Sequence, residues 1–203
     1  MPGASPVLAP VGIVLAGGLS RRLGRDKASL EVGGESLALR AARRLAEICS
    51  EVAIADAGRG SIADFPSLPD GPGRGPAAGL LGAEHAFPAR SLLVLACDLP
   101  EVPAALLAEA ARAEAAGWGD WVVPRWRGNL EPLAALYRPR ALSALRTRAL
   151  RGEHALHRLA EEGALAIRYL DEDLLRRFGD PAAMFLNLNT PDDLARWRAL
   201  ATG

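Results

Sequence analysis

The residues best suited to chemistry lie in one run near the start of the chain, Val11 to Lys27, which reads V-G-I-V-L-A-G-G-L-S-R-R-L-G-R-D-K. The pair Gly17-Gly18 follows a short apolar stretch, and Arg21, Arg22, Arg25 and Lys27 put four cations within seven residues. Paired glycines let a backbone take positive φ and come close to a ligand. Exposed N–H groups at such a turn, beside fixed cations, make an anion site whose natural occupant is a polyphosphate. The spacing is neither G-x-x-x-x-G-K-[ST] nor G-x-G-x-x-G, so neither a P-loop nor the dinucleotide-binding fingerprint is present. A surface loop with solvated arginines is the plain alternative.

Three further places carry polar groups that could serve such a site. Asp98 closes the most apolar run of the chain, Ser91 to Ala96, and is followed by Leu99-Pro100. A carboxylate at the end of a buried strand suits Mg²⁺, which takes one or two carboxylates plus substrate phosphates. The competing role is capping the helix near Pro103. Asp70 stands before a Gly/Pro-rich segment, Gly71 to Gly79. Its carboxylate could accept hydrogen bonds from a nucleoside, or it could be a turn residue. Asn187 and Asn189 alternate in the run Phe185 to Leu188 and beyond. One face of a strand would present both, to complete a metal shell or hold phosphate. Helix-entry asparagines are the alternative.

These residues need a scaffold, and the pattern of the chain supplies one. Val11 to Leu15 reads as a buried strand. From Ser36 to Ile48 the apolar positions Leu37, Ala41, Leu45 and Ile48 recur at helical spacing, with arginines on the other face. Val52 to Ala55 is a second strand, so the opening is a βαβ unit. A short strand near Ser67-Leu68 interrupts a long irregular segment. Gly75-Pro76 opens a helix to about Ala86. Ser91 to Ala96 is the central strand and Pro103 starts the next helix. Strands are expected at Trp121 to Pro124, Leu133 to Tyr137 and Leu165 to Leu170, with helices at Pro139 to Arg148 and His154 to Glu162. Phe185 to Leu188 is short and apolar. Thr190-Pro191-Asp192-Asp193 reads as a capping box that opens a last helix to Leu200. Strands alternating with helices imply α/β, a doubly wound and mostly parallel sheet, with ligand beyond the carboxyl ends of the strands.

The 203 residues suit one domain, expected over 11–203 after a flexible lead-in at 1–10. Composition is ordinary, at 50% hydrophobic and 24% charged, and formal net charge is zero. No global field therefore draws in nucleic acid or a membrane surface. No apolar run approaches the roughly 20 residues of a membrane helix, and the first ten residues do not read as a signal peptide. Cys49 and Cys97 are isolated and match no metal spacing, so they read as buried thiols of a reducing compartment. A cytoplasmic location is expected. His85, His154 and His157 form no triad or metal pattern; His154 and His157 lie three apart on one expected helix face.

Taken together, L-A-G-G-x-S-R-R-x-G-x-D-K, the C-D-L-P of Cys97 to Pro100, the G-P-A-A-G-L of Gly75 to Leu80 and the F-L-N-L-N-T-P of Phe185 to Pro191 resemble the molybdenum cofactor guanylyltransferases, the MobA family of nucleotidyltransferases. Weaker matches are Gly152-Glu153-His154, similar to a segment on the pterin side, and Glu131 to Tyr137, similar to a family strand. Leu23 stands where Met is common, and Ala57 lies near where some members place an Asn against the nucleotide. The resemblance implies a single-domain Rossmann-like three-layer sandwich of the nucleotide-diphospho-sugar transferase type. It implies nucleotide binding by Leu15, Ala16, Gly17, Gly18, Lys27, Asp70 and Asp98, with Mg²⁺ on Asp98. The N–H groups of Ala16 to Gly18 would hold phosphates, and Lys27, Arg22 and Asp98 would be catalytic.

The implied reaction moves GMP from GTP to the terminal phosphate of molybdopterin, with release of pyrophosphate. That nucleophile has a second pKa of about 6 and is largely dianionic at pH 7, so no strong general base is needed. Molybdoenzymes or cofactor-insertion proteins would receive the product. The alternatives are a cytidylyltransferase on the same pterin, against which L-A-G-G, C-D and the two asparagines argue, another small-phosphate or sugar-phosphate nucleotidyltransferase, and a non-catalytic carrier.

Overall fold

The computed structural model describes residues 9–17, 19–20, 25–26, 30–32, 34–190, 192–193 and 195–197. Strand β1 (Val11–Leu15) is followed by two short ribbons, β2 (Leu19–Ser20) with β3 (Arg25–Asp26), and β4 (Glu31–Val32) with β5 (Glu35–Ser36). Next come α1 (Leu37–Ala46), β6 (Val52–Ala55), β7 (Ser67–Leu68), α2 (Pro76–Ala86), β8 (Leu92–Ala96) and α3 (Ala104–Ala115). The later part holds β9 (Trp121–Trp126), β10 (Asn129–Leu130), β11 (Ala134–Tyr137), α4 (Pro139–Leu150), a 3-10 helix at Leu156–Glu161, β12 (Ile167–Leu170), α5 (Glu172–Leu175) and α6 (Pro181–Met184).

Strands β7, β6, β1 and β8 lie side by side and parallel. Strand β11 joins β8 antiparallel, β9 joins β11 antiparallel, and β10 and β12 both pair with β9. Helices α1 and α3 cover one face, while α2 and α4 cover the other. The architecture is thus the expected α/β three-layer sandwich with a mixed, mostly parallel sheet. Every residue of β1, β6 and β8 is buried, as a strand covered on both faces requires.

The local signals explain most elements. Ser36 Oγ accepts the Leu39 N–H at 3.2 Å and caps α1, whose buried positions are Leu37, Ala38, Ala41, Ala42 and Leu45. Pro76 sits in the first turn of α2, where its missing N–H costs nothing. Thr190 and Asp193 form the expected capping box. Thr190 Oγ1 accepts the Asp193 N–H at 3.1 Å, and Asp193 Oδ2 accepts the Thr190 N–H at 2.9 Å.

Four expectations need correction. Helices do not separate all the strands: β9 turns straight into β10 through Arg127 (φ 49°) and Gly128 (φ 76°), two positive values that close a tight hairpin. Arginine is an uncommon first residue for such a turn, so the hairpin gave no composition cue. Residues 154–162 do not form one helix; the 3-10 helix begins at Leu156, and His154 lies ahead of it. Ile48 lies beyond the end of α1. No strand forms at 185–189, where Asn189 N–H bonds back to Asn187 O at 3.1 Å and the chain turns. Among the described residues, no helix is long and apolar enough to cross a membrane.

Candidate active site

Register places the two anchors of the site next to each other. Leu15 of β1 pairs with Ala96 of β8, and Cys97 N–H carries the ladder on to Leu15 O at 3.1 Å. Gly17 and Asp98 therefore leave adjacent strands at the same carboxyl edge. A cavity of about 280 Å³ opens there, lined by Leu15 to Gly17, Ala55, Asp70, the start of α2 at Gly75, Pro76 and Gly79, Ala96 to Asp98, and Leu133. Leu15, Ala16, Gly17, Asp70 and Asp98, all expected in the site, meet in this cavity. Gly18, Arg22 and Lys27 lie outside the described residues.

Gly17 is exposed, and its φ is outside the left-handed region, so close approach rather than positive φ is what it contributes. A Cβ there would come to 3.4 Å from Ala55 O and 4.0 Å from Asp70 Oδ1. The donor row of the loop is shorter than expected. Ala16 N–H donates to Ala55 O at 3.0 Å and extends the β1–β6 ladder, so it is not free for phosphate. The ladder thus ends before Gly17, which lines the cavity.

The loop is held from beneath by a pair that the sequence reading passed over, Asp56 and Arg59. Asp56 follows β6 and is fully buried. Its carboxylate accepts from Arg59 N–H at 3.2 Å, from Ser61 N–H at 2.8 Å, and from the hydroxyls of Ser61 at 2.7 Å and Ser67 at 2.5 Å. Burial alone would raise its pKa, but these bonds outweigh burial and hold it below the usual carboxylate value. Arg59 then spans to the opening loop, with Nε on Asp56 O at 2.7 Å and Nη2 on Ala16 O at 2.8 Å. The available cue was an Asp closing a strand ahead of a Gly-flanked Arg, which also describes an ordinary turn.

Asp70 is carried by the segment between β7 and α2, and Gly71 N–H anchors that segment to Ala78 O at 2.8 Å. Asp98 is half-buried, and its carbonyl accepts the Leu188 N–H at 2.9 Å. That bond brings Asn187 and Asn189 beside the Asp98 loop, although neither lines the cavity. Asn189 N–H goes to Asp193 Oδ2 at 3.0 Å, so the backbone of this asparagine belongs to the helix cap. On the far wall, Leu133 O accepts Ala96 N–H at 2.8 Å, and the buried Tyr137 hydroxyl donates to Pro132 O at 2.8 Å. Glu131 lies in the same turn, and burial pushes its pKa up to about 7. His85 and His157 are exposed, and no group of three potential metal-ligating side chains occurs among the described residues.

Two aspartates line a cavity at the carboxyl edge of the parallel strands, next to a glycine loop, where open α/β sheets bind their ligands. Residues 12–167 match the MobA-like NTP transferase domain. The chain belongs to that family. It is 36% identical, over 90% of both chains, to the protein of Chloroflexus aggregans named "Probable molybdenum cofactor guanylyltransferase". It is 35% identical to the molybdenum cofactor guanylyltransferase of Rhodopseudomonas palustris, over 95% of this chain and 92% of that one. Among solved structures, the molybdopterin-guanine dinucleotide biosynthesis protein A of Archaeoglobus fulgidus superposes with a TM-score of 0.81 at 25% identity, covering 95% of this chain and 98% of that one.

Proposed function

We propose that the protein transfers GMP from GTP to the terminal phosphate of molybdopterin, giving the guanine dinucleotide form of the cofactor and pyrophosphate. The observation that carries this reading is the joining of Gly17, Asp70 and Asp98 in one cavity, in a chain whose relatives bear that activity in their names. Molybdoenzymes or cofactor-insertion proteins would take up the product. Cys49 and Cys97 are buried and form no disulfide, which suits a cytoplasmic setting.

The described groups facing the cavity include the carboxylates of Asp70 and Asp98, which alone would repel a triphosphate. A divalent cation would offset that repulsion, and the half-buried Asp98, with Asp70 lining the same cavity, suits Mg²⁺, which prefers oxygen ligands. Asp98 would hold the ion, with Asn187 and Asn189 on the segment tied to the Asp98 carbonyl as candidate further ligands; when bound, Mg²⁺ would offset charge on the reacting phosphates. Gly17 and Gly18 would donate N–H groups to the polyphosphate. Arg59 Nη2 donates to the Ala16 carbonyl, which would offset that oxygen's repulsion of the phosphates. Asp70 would accept hydrogen bonds from the nucleoside. Lys27 and Arg22 would neutralise charge as the α-phosphorus is attacked. The acceptor phosphate needs no base, so catalysis is positioning plus charge neutralisation.

Pyrophosphate release from GTP, CTP, ATP and UTP with Mg²⁺ and molybdopterin tests the reading. Release from GTP that depends on molybdopterin is expected. A preference for CTP overturns the choice of base, and release from none identifies a carrier. Asp98→Ala should abolish turnover while leaving the thermal transition in place.

A further inference from the structure

The arginines of α1 are not all a solvated face. Arg44 is half-buried, and its Nη1 donates to Pro100 O and Val102 O, both at 2.6 Å. Those two carbonyls belong to the turn that directly follows Asp98. The turn leaves β8 with Leu99 N–H bonded to Ala96 O at 3.2 Å and closes with Val102 N–H on Leu99 O at 3.4 Å. Cys97 and Asp98 are the two residues inside its first loop. A second tie holds the same turn: Trp197 Nε1 donates to Glu101 Oε1 at 2.6 Å, and Arg40 of α1 lies 5.8 Å from the Trp197 ring centroid. A third tie is the Leu188 N–H on the Asp98 carbonyl.

Desolvation lowers the Arg44 pKa, with Glu101 acting against it, so the cation sits where burial disfavours charge. A solvent-facing helix position would not impose that cost. Without the guanidinium, the Pro100 and Val102 carbonyls would lose these two charge-assisted bonds. Both carbonyls converge on one nitrogen, so the grip sets their separation and with it the path of the backbone out of β8.

We propose that Arg44 is a positioning residue for the transfer site, gripping the Pro100 and Val102 carbonyls so that the Asp98 carboxylate points into the cavity. The proposal rests on Asp98 being the carboxylate that meets the metal–nucleotide complex. Residues that orient a metal ligand commonly change metal affinity by about 10- to 100-fold when removed.

The test uses full-length Arg44→Met, Arg44→Lys and Asp98→Asn. Mn²⁺ affinity is measured by electron paramagnetic resonance in the presence of α,β-methylene-GTP, at a temperature well below each unfolding midpoint, and kcat and KM for GTP are measured with Mg²⁺. Arg44→Met should weaken Mn²⁺ binding by about tenfold or more and lower kcat, with KM for GTP changed by less than about threefold. Arg44→Lys keeps a cationic donor and should recover part of both losses. If Arg44→Met does not fold, Arg44→Lys against wild type carries the comparison, with an intermediate Mn²⁺ affinity expected. Wild-type Mn²⁺ affinity and kcat in the folded Arg44 variants overturn the proposal, even if the unfolding midpoint falls. Wild-type Mn²⁺ binding by Asp98→Asn instead overturns the role of Asp98, which separates the two failures.

Discussion

Gly82 of α2 packs directly on the backbone of Pro69: a Cβ on Gly82 would lie 2.0 Å from the Pro69 carbonyl oxygen. The reverse side of the contact is as tight, since a Cβ on Gly71 would lie 2.6 Å from Gly82 N. Backbone thus meets backbone on both sides of Asp70, and no flexible side chain can yield. The clasp sets how deep Asp70 sits over the cavity.

Gly82→Ala should consequently act on nucleotide binding through Asp70, which it does not touch. The overpacking should cost about 1–3 kcal/mol of stability. KM for GTP should rise several-fold while kcat changes little. Denaturant unfolding and steady-state kinetics check the two parts. An unchanged KM would show that Asp70 keeps its place without the clasp.

Lys27→Ala should lower kcat/KM by more than about tenfold if Lys27 has the proposed role, because a cation that neutralises developing phosphate charge acts mainly in the transition state. Raising Mg²⁺ should not restore the rate. A rate equal to wild type would make Lys27 an ordinary surface charge.

Glu131 has a pH signature in stability. Its folded pKa of about 7, raised by burial, lies above the usual glutamate value, so the folded protein keeps a proton that the unfolded chain loses first. Its contribution is therefore fully present below the unfolded value, about 4.3, and is lost as pH rises through about 7. Glu131→Gln removes the titration. The midpoint difference, variant minus wild type, should grow between pH 5 and about pH 7.5 and then level off. A difference independent of pH would place the carboxyl in water.

Thr190→Ala removes one half of the capping box and should cost about 1 kcal/mol. Asp193 adds an acid-side dependence. Hydrogen bonds from Thr190, and from the Asn189 N–H, hold its pKa below the usual carboxylate value. The stability it contributes is present above the unfolded value and is lost as pH falls through the depressed one. Urea melts at pH 7 and pH 3 should show a smaller loss from Thr190→Ala at the lower pH.

How far the site could be read from residues alone depended on distance along the chain. The Gly17 loop, Asp70 and Asp98 each carried a local cue: glycines after a strand, Asp before a Gly/Pro segment, and Asp at the end of an apolar run. Asp56, Arg59 and Arg44 carried none that separates them from turn or surface residues. The roles of Arg59 and Arg44 come from partners 43 to 58 positions away, Arg59 on Ala16 and Arg44 on Pro100 and Val102, whereas Asp56 bonds to Arg59, Ser61 and Ser67, 3 to 11 positions on. The asparagine pair shows the reverse case. Alternation predicted a strand face, but the Thr190–Asp193 cap captured Asn189 N–H and turned the chain.

By itself, the sequence determined what is periodic or chemically local. Buried runs made β1, β6 and β8, an amphipathic stripe made α1, Pro76 opened α2, and a capping box ended the irregular C-terminal stretch. Motif order also pointed to the family. Only the tertiary structure decided which of those pieces touch. It set Leu15 beside Ala96, so that Gly17 and Asp98 share an edge, and it spent the Ala16 N–H on Ala55. The reason is that strand register and helix packing are settled by burial summed over the whole sheet, and a hydrogen bond across 43 residues leaves no trace in the spacing of either partner.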